Sequence, residues 1–125
     1  MGKVLVVDDT AFARLSLANL IRMAGHEIVG QAGNGEEAIR LYHDLLPDLV
    51  TMDITMPVMD GIEATRQIRK TAPEARIIVV SAMGQMDHVK DCIIAGACDF
   101  IVKPFDLERV KNAIARHMGD EQQLA

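Results

Sequence analysis

One pattern recurs along this chain: a short, unbroken apolar run followed by a stretch with helical periodicity. Val4 to Val7, Leu49 to Met52, Ile77 to Val80 and Phe100 to Val102 are continuous rather than alternating. Such runs suit parallel strands covered on both faces. Ile28 to Ala32 is weaker and carries Gly30, which predicts a less buried edge strand.

The intervening segments predict helices. Ala13, Leu17, Leu20, Ile21 and Ala24 share a face, with Gly25 placed to end that helix. Asn34-Gly35-Glu36 turns into a helix carrying Ala38, Leu41, Tyr42 and Leu45, which Pro47 stops. Asp60 is placed to cap a helix with Ile62, Thr65 and Ile68 inward, closed by Ala72-Pro73. Two more run from about Met86 to Ala95, ended by Gly96, and from Asp106 or Leu107 to about Met118. Strand and helix thus alternate five times, which predicts an open parallel α/β sheet with helices on both faces and one domain over 1–118. Residues 119–125 read as a frayed polar tail.

A chain of 125 residues is long enough to bury one core. Its net charge of -5 gives no attraction to nucleic acid or an anionic membrane, and one Tyr, three Phe and no Trp make a base-stacking surface unexpected. Cys92 and Cys98 have neither metal-ligand nor redox-pair spacing, so packing is the expected use. The N-terminal apolar run is too short for a signal peptide, and nothing reaches membrane-spanning length. The cytoplasm is the expected compartment.

In such sheets, sites form beyond the carboxyl ends of the strands, where the strand order reverses. Those ends carry Asp8 and Asp9, Asp53, Ser81 and Lys103. Each has an ordinary reading: Asp8 or Asp9 as a helix cap, Ser81 bonding to local backbone, Lys103 as a surface lysine. Together they demand more. Three carboxylates about 6 Å apart repel by roughly 2–3 kcal/mol per pair at an effective dielectric near 20. Lys103 offsets one charge of three, and an oxygen-seeking cation such as Mg²⁺ (with Mn²⁺ as a substitute) would offset two more. No Cys or His stands at these tips, which argues against zinc. A carboxylate nucleophile beside a cation, an ammonium and a hydroxyl is a set suited to accepting a phosphoryl group.

The ordered set Asp8-Asp9, Met52-Asp53-Ile54-Thr55-Met56-Pro57-Val58-Met59-Asp60-Gly61, Ser81-Ala82 and Lys103-Pro104-Phe105 closely resembles the receiver domain of response regulators, from about Lys3 to Met118. The resemblance implies a flavodoxin-like (βα)5 fold with strand order 2-1-3-4-5, an order that a chemotaxis member of the family is known to adopt. It implies Asp53 as phosphoacceptor, and Asp9, Asp53 and the Thr55 carbonyl as metal ligands, with Asp8 acting mainly through water. It implies Ser81 and Lys103 as the groups that meet the phosphoryl oxygens, and a cis Lys103–Pro104 bond. Phe100 is then either an aromatic switch that turns inward or a permanent core residue. The helix 4, strand 5 and helix 5 face would carry the signal. Met83 stands where fast-cycling relatives carry an acid able to orient water, so slow spontaneous dephosphorylation is expected.

The stand-alone chemotaxis regulators match the flanking phrases best, which implies a histidine kinase as donor, the flagellar motor switch protein as target, a phosphatase as a further partner, and a monomer. A sporulation-type phosphorelay intermediate and a receiver excised from a DNA-binding regulator are the alternatives. A phosphatase with an aspartate nucleophile would want a second acid two residues after Asp53, where Thr55 stands. A flavin carrier would want a hydroxyl-rich loop where Asp8-Asp9 stands. His26, His43, His88 and His117 are unpaired in sequence and read as exposed. Arg66, Arg69, Lys70, Arg109, Lys111 and Arg116 read as solvated helix faces, and the methionines mostly as core filling, with Met83 and Met86 near the output loop.

Overall fold

A computed structural model describes residues 2–82 and 87–118. Met83, Met86 and the expected 119–125 tail lie outside these residues. The elements are β1 (Lys3–Val7), α1 (Ala11–Met23), β2 (Glu27–Ala32), α2 (Gly35–Leu45), β3 (Leu49–Asp53), α3 (Gly61–Thr71), β4 (Ile77–Ala82), α4 (Val89–Ala95), β5 (Asp99–Lys103) and α5 (Leu107–Met118). Their strands form one parallel sheet in the order β2-β1-β3-β4-β5. The expected flavodoxin-like order is the observed one. No helix among the described residues is long and apolar enough to cross a membrane.

The strands lack alternation because both faces are covered. Leu5, Val7, Val50, Met52, Ile77 and Val79 face one core with Ala38 and Tyr42 of α2, Ala64 and Ile68 of α3, and Cys92 of α4. Val4, Val6, Leu49, Ile78, Val80 and Ile101 face the other with Leu17 and Ile21 of α1 and Val110 and Ile114 of α5. Each fully buried aliphatic side chain contributes about 1.5–3 kcal/mol, so the two cores hold the sheet between its helix layers. β2 is the weaker edge, as Gly30 foretold; a register shift at Val4/Leu5 interrupts its pairing.

The helix starts are chemically encoded. Asn34 Oδ1 accepts from Glu37 N at 2.9 Å, and Asp60 Oδ1 accepts from Glu63 N at 2.8 Å. Asp106 Oδ1 does the same for Arg109 N at 2.9 Å. Gly25 follows α1 at φ +97, a conformation a side chain would strain.

Register brings the strand tips level. Val7 lies opposite Met52, so Asp8 emerges beside Asp53, while Asp53 lies opposite Val80. Ala82 lies opposite Lys103. β1 is flanked by β2 on one side and β3 on the other, so the chain reverses its direction of travel across the sheet beside Asp8. That is the switch point at which such sheets form their sites.

Candidate functional site

Asp8, Asp9 and Asp53 each offer a carboxylate oxygen, and these oxygens lie within 4.8 Å of one another. Asp8 and Asp53 are buried, at 5 % and 6 % exposure, whereas Asp9 is exposed. The two buried acids at that separation repel by about 3 kcal/mol at an effective dielectric near 20. Lys103 Nζ faces both, 3.4 Å from Asp8 Oδ2 and 3.7 Å from Asp53 Oδ1. Three negative charges against one positive leave two uncompensated.

Asp53 registers that imbalance. Burial, and then the charge of Asp8, push its carboxyl up from 3.8 to about 6. Asp9 adds to the rise, while Lys103 and the backbone N–H of Ile54 pull it down. A carboxylate held this way gains from any added positive charge. The donors within the cluster are all oxygen, with no thiolate or imidazole, which fits a hard divalent cation and not zinc.

Asp8 combines its ordinary reading with the functional one. Its Oδ1 accepts from Thr10 N at 2.9 Å, a local turn leading into α1, while Oδ2 faces Lys103. Arg14 donates from Nη1 to the Asp8 carbonyl at 2.6 Å and ties the tip of β1 to α1. Asp53 is fixed from beneath. Gly61 N donates to Ile54 O at 2.8 Å, and a Cβ on Gly61 would overlap the Asp53 carbonyl oxygen. Only glycine allows α3 to begin so close to the acid.

Ser81 lies within β4 rather than beyond it, because the strand runs through Ala82. It is fully buried, and its Oγ has no hydrogen-bond partner among the described residues. An orphaned hydroxyl costs roughly 1–3 kcal/mol, which a ligand oxygen within reach would recover. Thr55, two residues past Asp53, is exposed in the β3–α3 loop. Phe100 is half-buried and packs on the core shared with α2, α3 and α4. The Lys103–Pro104 bond is cis.

The solvated readings need correction: His26, His43, His117, Arg69, Arg109 and Arg116 are held by neighbours rather than free in solvent, His43 Nε2 by Thr71 Oγ1 at 3.1 Å and Arg69 Nη1 by the Ala75 carbonyl at 3.2 Å. His117 is not unpaired: its Nε2 lies 3.0 Å from Asp99 Oδ2. Arg116 and Arg109 are not merely solvated, since Arg116 donates to the same Asp99 oxygen at 2.7 Å and Arg109 Nη2 to the Phe100 carbonyl at 2.6 Å. His26 Nδ1 likewise accepts from Gly2 N at 3.0 Å. The one sequence signal for His117 and Arg116 was an acid, Asp99, opening an otherwise apolar strand. Cys92 is buried in the core and Cys98 packs partly against the other one, as expected.

The profile of the response regulator receiver domain matches residues 4–115. The chain is 56% identical over 115 residues to the chemotaxis protein CheY of Thermotoga maritima, covering 91% of this chain and 96% of that one. It is 52% identical to CheY of Bacillus subtilis, with 94% and 98% covered. Its fold is similar to a CheX-CheY-BeF3-Mg+2 complex from Borrelia burgdorferi, with a TM-score of 0.86, 41% identity, and 91% and 87% covered. The receiver domain of AraT from Geobacillus stearothermophilus gives a TM-score of 0.88 at 28% identity, with 98% and 97% covered. With the acid cluster standing at the strand tips, this chain belongs to the response regulator receiver family as a CheY-like member of a two-component system.

Proposed function

We propose that the chain receives a phosphoryl group on the Asp53 carboxylate from a histidine kinase. The observation that carries this reading is the convergence of Asp8, Asp9 and Asp53 within 4.8 Å, faced by Lys103. An Asp53 oxygen attacks phosphorus, the P–N bond of a phosphohistidine breaks, and the departing imidazole nitrogen takes up a proton. Lys103 holds one phosphoryl oxygen, and the unbonded Ser81 hydroxyl turns to another. Asp8, Asp9, Asp53 and the Thr55 carbonyl would hold Mg²⁺, with Mn²⁺ able to substitute; when bound, the ion supplies the two missing positive charges.

Phosphorylation adds roughly -1.5 to -2 charges at one point. Ser81 and Lys103 move toward it, and Phe100, half-buried beside Ser81's strand, fills the space released. This shifts a pre-existing equilibrium on the α4, β5 and α5 face. The domain occupies 1–118.

The CheY relatives support chemotaxis as the setting, with the flagellar motor switch protein as target and the cytoplasm as compartment. The Borrelia complex pairs a CheY with CheX in the presence of BeF3 and Mg+2, which supports a phosphatase as a further partner. Phe12 and Leu15 are exposed on α1, and an apolar cleft of about 260 Å³ opens between α1 and the segment after β5. Such a rim suits a protein donor better than a free nucleotide.

The test is incubation with acetyl phosphate and Mg²⁺, read by intact mass. Wild type gains one phosphoryl group and Asp53→Asn gains none; equal modification of both removes the assignment.

A further inference from the structure

Asp9 is the loosest member of the acid cluster. Its side chain is exposed and makes no hydrogen bond or ion pair among the described residues. Asp8 is the opposite case. Its N–H donates to Ala32 O at 3.0 Å, its Oδ1 accepts from Thr10 N at 2.9 Å, and its Oδ2 faces Lys103. The Asp8 carbonyl and the Asp9 N–H nevertheless share one rigid peptide plane. Whatever fixes that carbonyl also fixes the direction in which the chain enters Asp9.

Arg14 makes the contact. Its Nη1 donates to Asp8 O at 2.6 Å, and nothing else among the described residues bonds to the plane. Helix geometry explains the reach. Side chains lean toward the N-terminus of their helix, so a residue near the start of α1 covers the β1–α1 loop. The half-buried Arg14 is anchored in turn, its own N–H donating to Thr10 O at 3.0 Å. A cation beside surplus negative charge ordinarily pairs with a carboxylate. Arg14 forms no ion pair among the described residues and directs its donor at an uncharged carbonyl, whereas Lys103 faces the acids themselves. Neutralising the cluster is therefore the work of Lys103 and not of Arg14.

We propose that Arg14 is a positioning residue for the divalent cation: it clamps the Asp8–Asp9 peptide so that the Asp9 carboxylate stands toward Asp8 and Asp53. The inference rests on the metal reading given above. Two physical roles for Arg14 predict opposite signs. A bare positive charge beside this cluster opposes a second cation, so its removal would tighten binding. A clamp removes freedom that Asp9 would otherwise lose on binding, so its removal weakens binding. Groups that orient metal-ligating carboxylates from behind are worth about 10–100-fold in affinity.

The experiment is a Mg²⁺ titration of the unphosphorylated chain, wild type against Arg14→Met, followed by amide chemical shifts, with backbone amide relaxation of both proteins free of metal. Melting curves in EDTA establish that the variant is folded, and Arg14→Ala takes its place if the Met variant is not. The variant binds Mg²⁺ about 10–100-fold more weakly than wild type. Without metal, the order parameter of its Asp9 amide falls from about 0.85 toward roughly 0.6, while that of Val7 is unchanged. A folded variant that binds Mg²⁺ as tightly as wild type, or more tightly, overturns the inference. So does an Asp9 amide as rigid in the variant as in wild type. A wild type indifferent to Mg²⁺ removes the metal reading itself and this inference with it.

Discussion

The site costs the unliganded fold stability, and Asp53→Asn measures how much. Burial and the charge of Asp8 push the Asp53 carboxyl up from 3.8 to about 6 in the fold. A rise of that size is worth about 3 kcal/mol before screening by water, and less after it. For a carboxylate raised on folding, the folded state holds its proton more tightly than the unfolded state. The penalty is therefore absent below pH ~4, grows as the pH rises toward 6, and is fully present at about pH 7.5. The amide is neutral and nearly isosteric, so without metal at about pH 7.5 the variant should be more stable by roughly 2–3 kcal/mol. For 125 residues, an unfolding entropy of about 2.1 cal/mol/K per residue converts this to a melting temperature about 10 °C higher. Thermal denaturation followed by circular dichroism in EDTA reads it directly. Added Mg²⁺ should raise the wild-type melting temperature far more than the variant's, closing the gap by mass action. At about pH 4 the gap should vanish without metal. A variant that melts at or below wild type in EDTA at about pH 7.5, or a gap independent of pH, refutes the electrostatic account.

Other outcomes follow from the same geometry. Gly61→Ala should lower stability by several kcal/mol and weaken Mg²⁺ binding, because the new methyl displaces the Asp53 backbone; calorimetric titration and melting check both. Val58 sits at φ 70 and is 74 % exposed. Val58→Gly should therefore stabilise the chain by about 0.5–1 kcal/mol in urea unfolding, since the left-handed conformation strains a β-branched side chain. Lys103→Met should raise the Asp53 carboxyl further and slow acceptance from acetyl phosphate about 100-fold, read by NMR titration and by mass against time. The phosphorylated protein should lose its group over longer than seconds, because methionine at position 83 cannot orient an attacking water.

The fold was legible because each layer of information agreed. Unbroken apolar runs such as Ile77 to Val80 could be satisfied only by helices on both faces, and Asn34 and Asp60 announced their helices by a side-chain oxygen three residues ahead of the N–H it accepts. The acid cluster was legible because a carboxylate directly after a buried strand has few places to go. Ser81 was visible as a polar tip, but its complete burial was not, since that depends on β4 running one residue further. The Asp99, Arg116 and His117 cluster was missed for a physical reason. Its partners are 17 and 18 positions apart and meet only when α5 folds back along β5. Arg109 was hidden in the same way, because its acceptor is a backbone carbonyl and leaves no mark in sequence.

If a single side chain receives the phosphoryl group, chemical mapping identifies it. Borohydride reduction of the freshly phosphorylated protein converts an aspartyl phosphate to homoserine, which peptide sequencing by mass locates. Homoserine at position 53 alone is the predicted result. Homoserine at Asp8 or Asp9, or a phosphate that resists reduction and maps to Ser81, contradicts it.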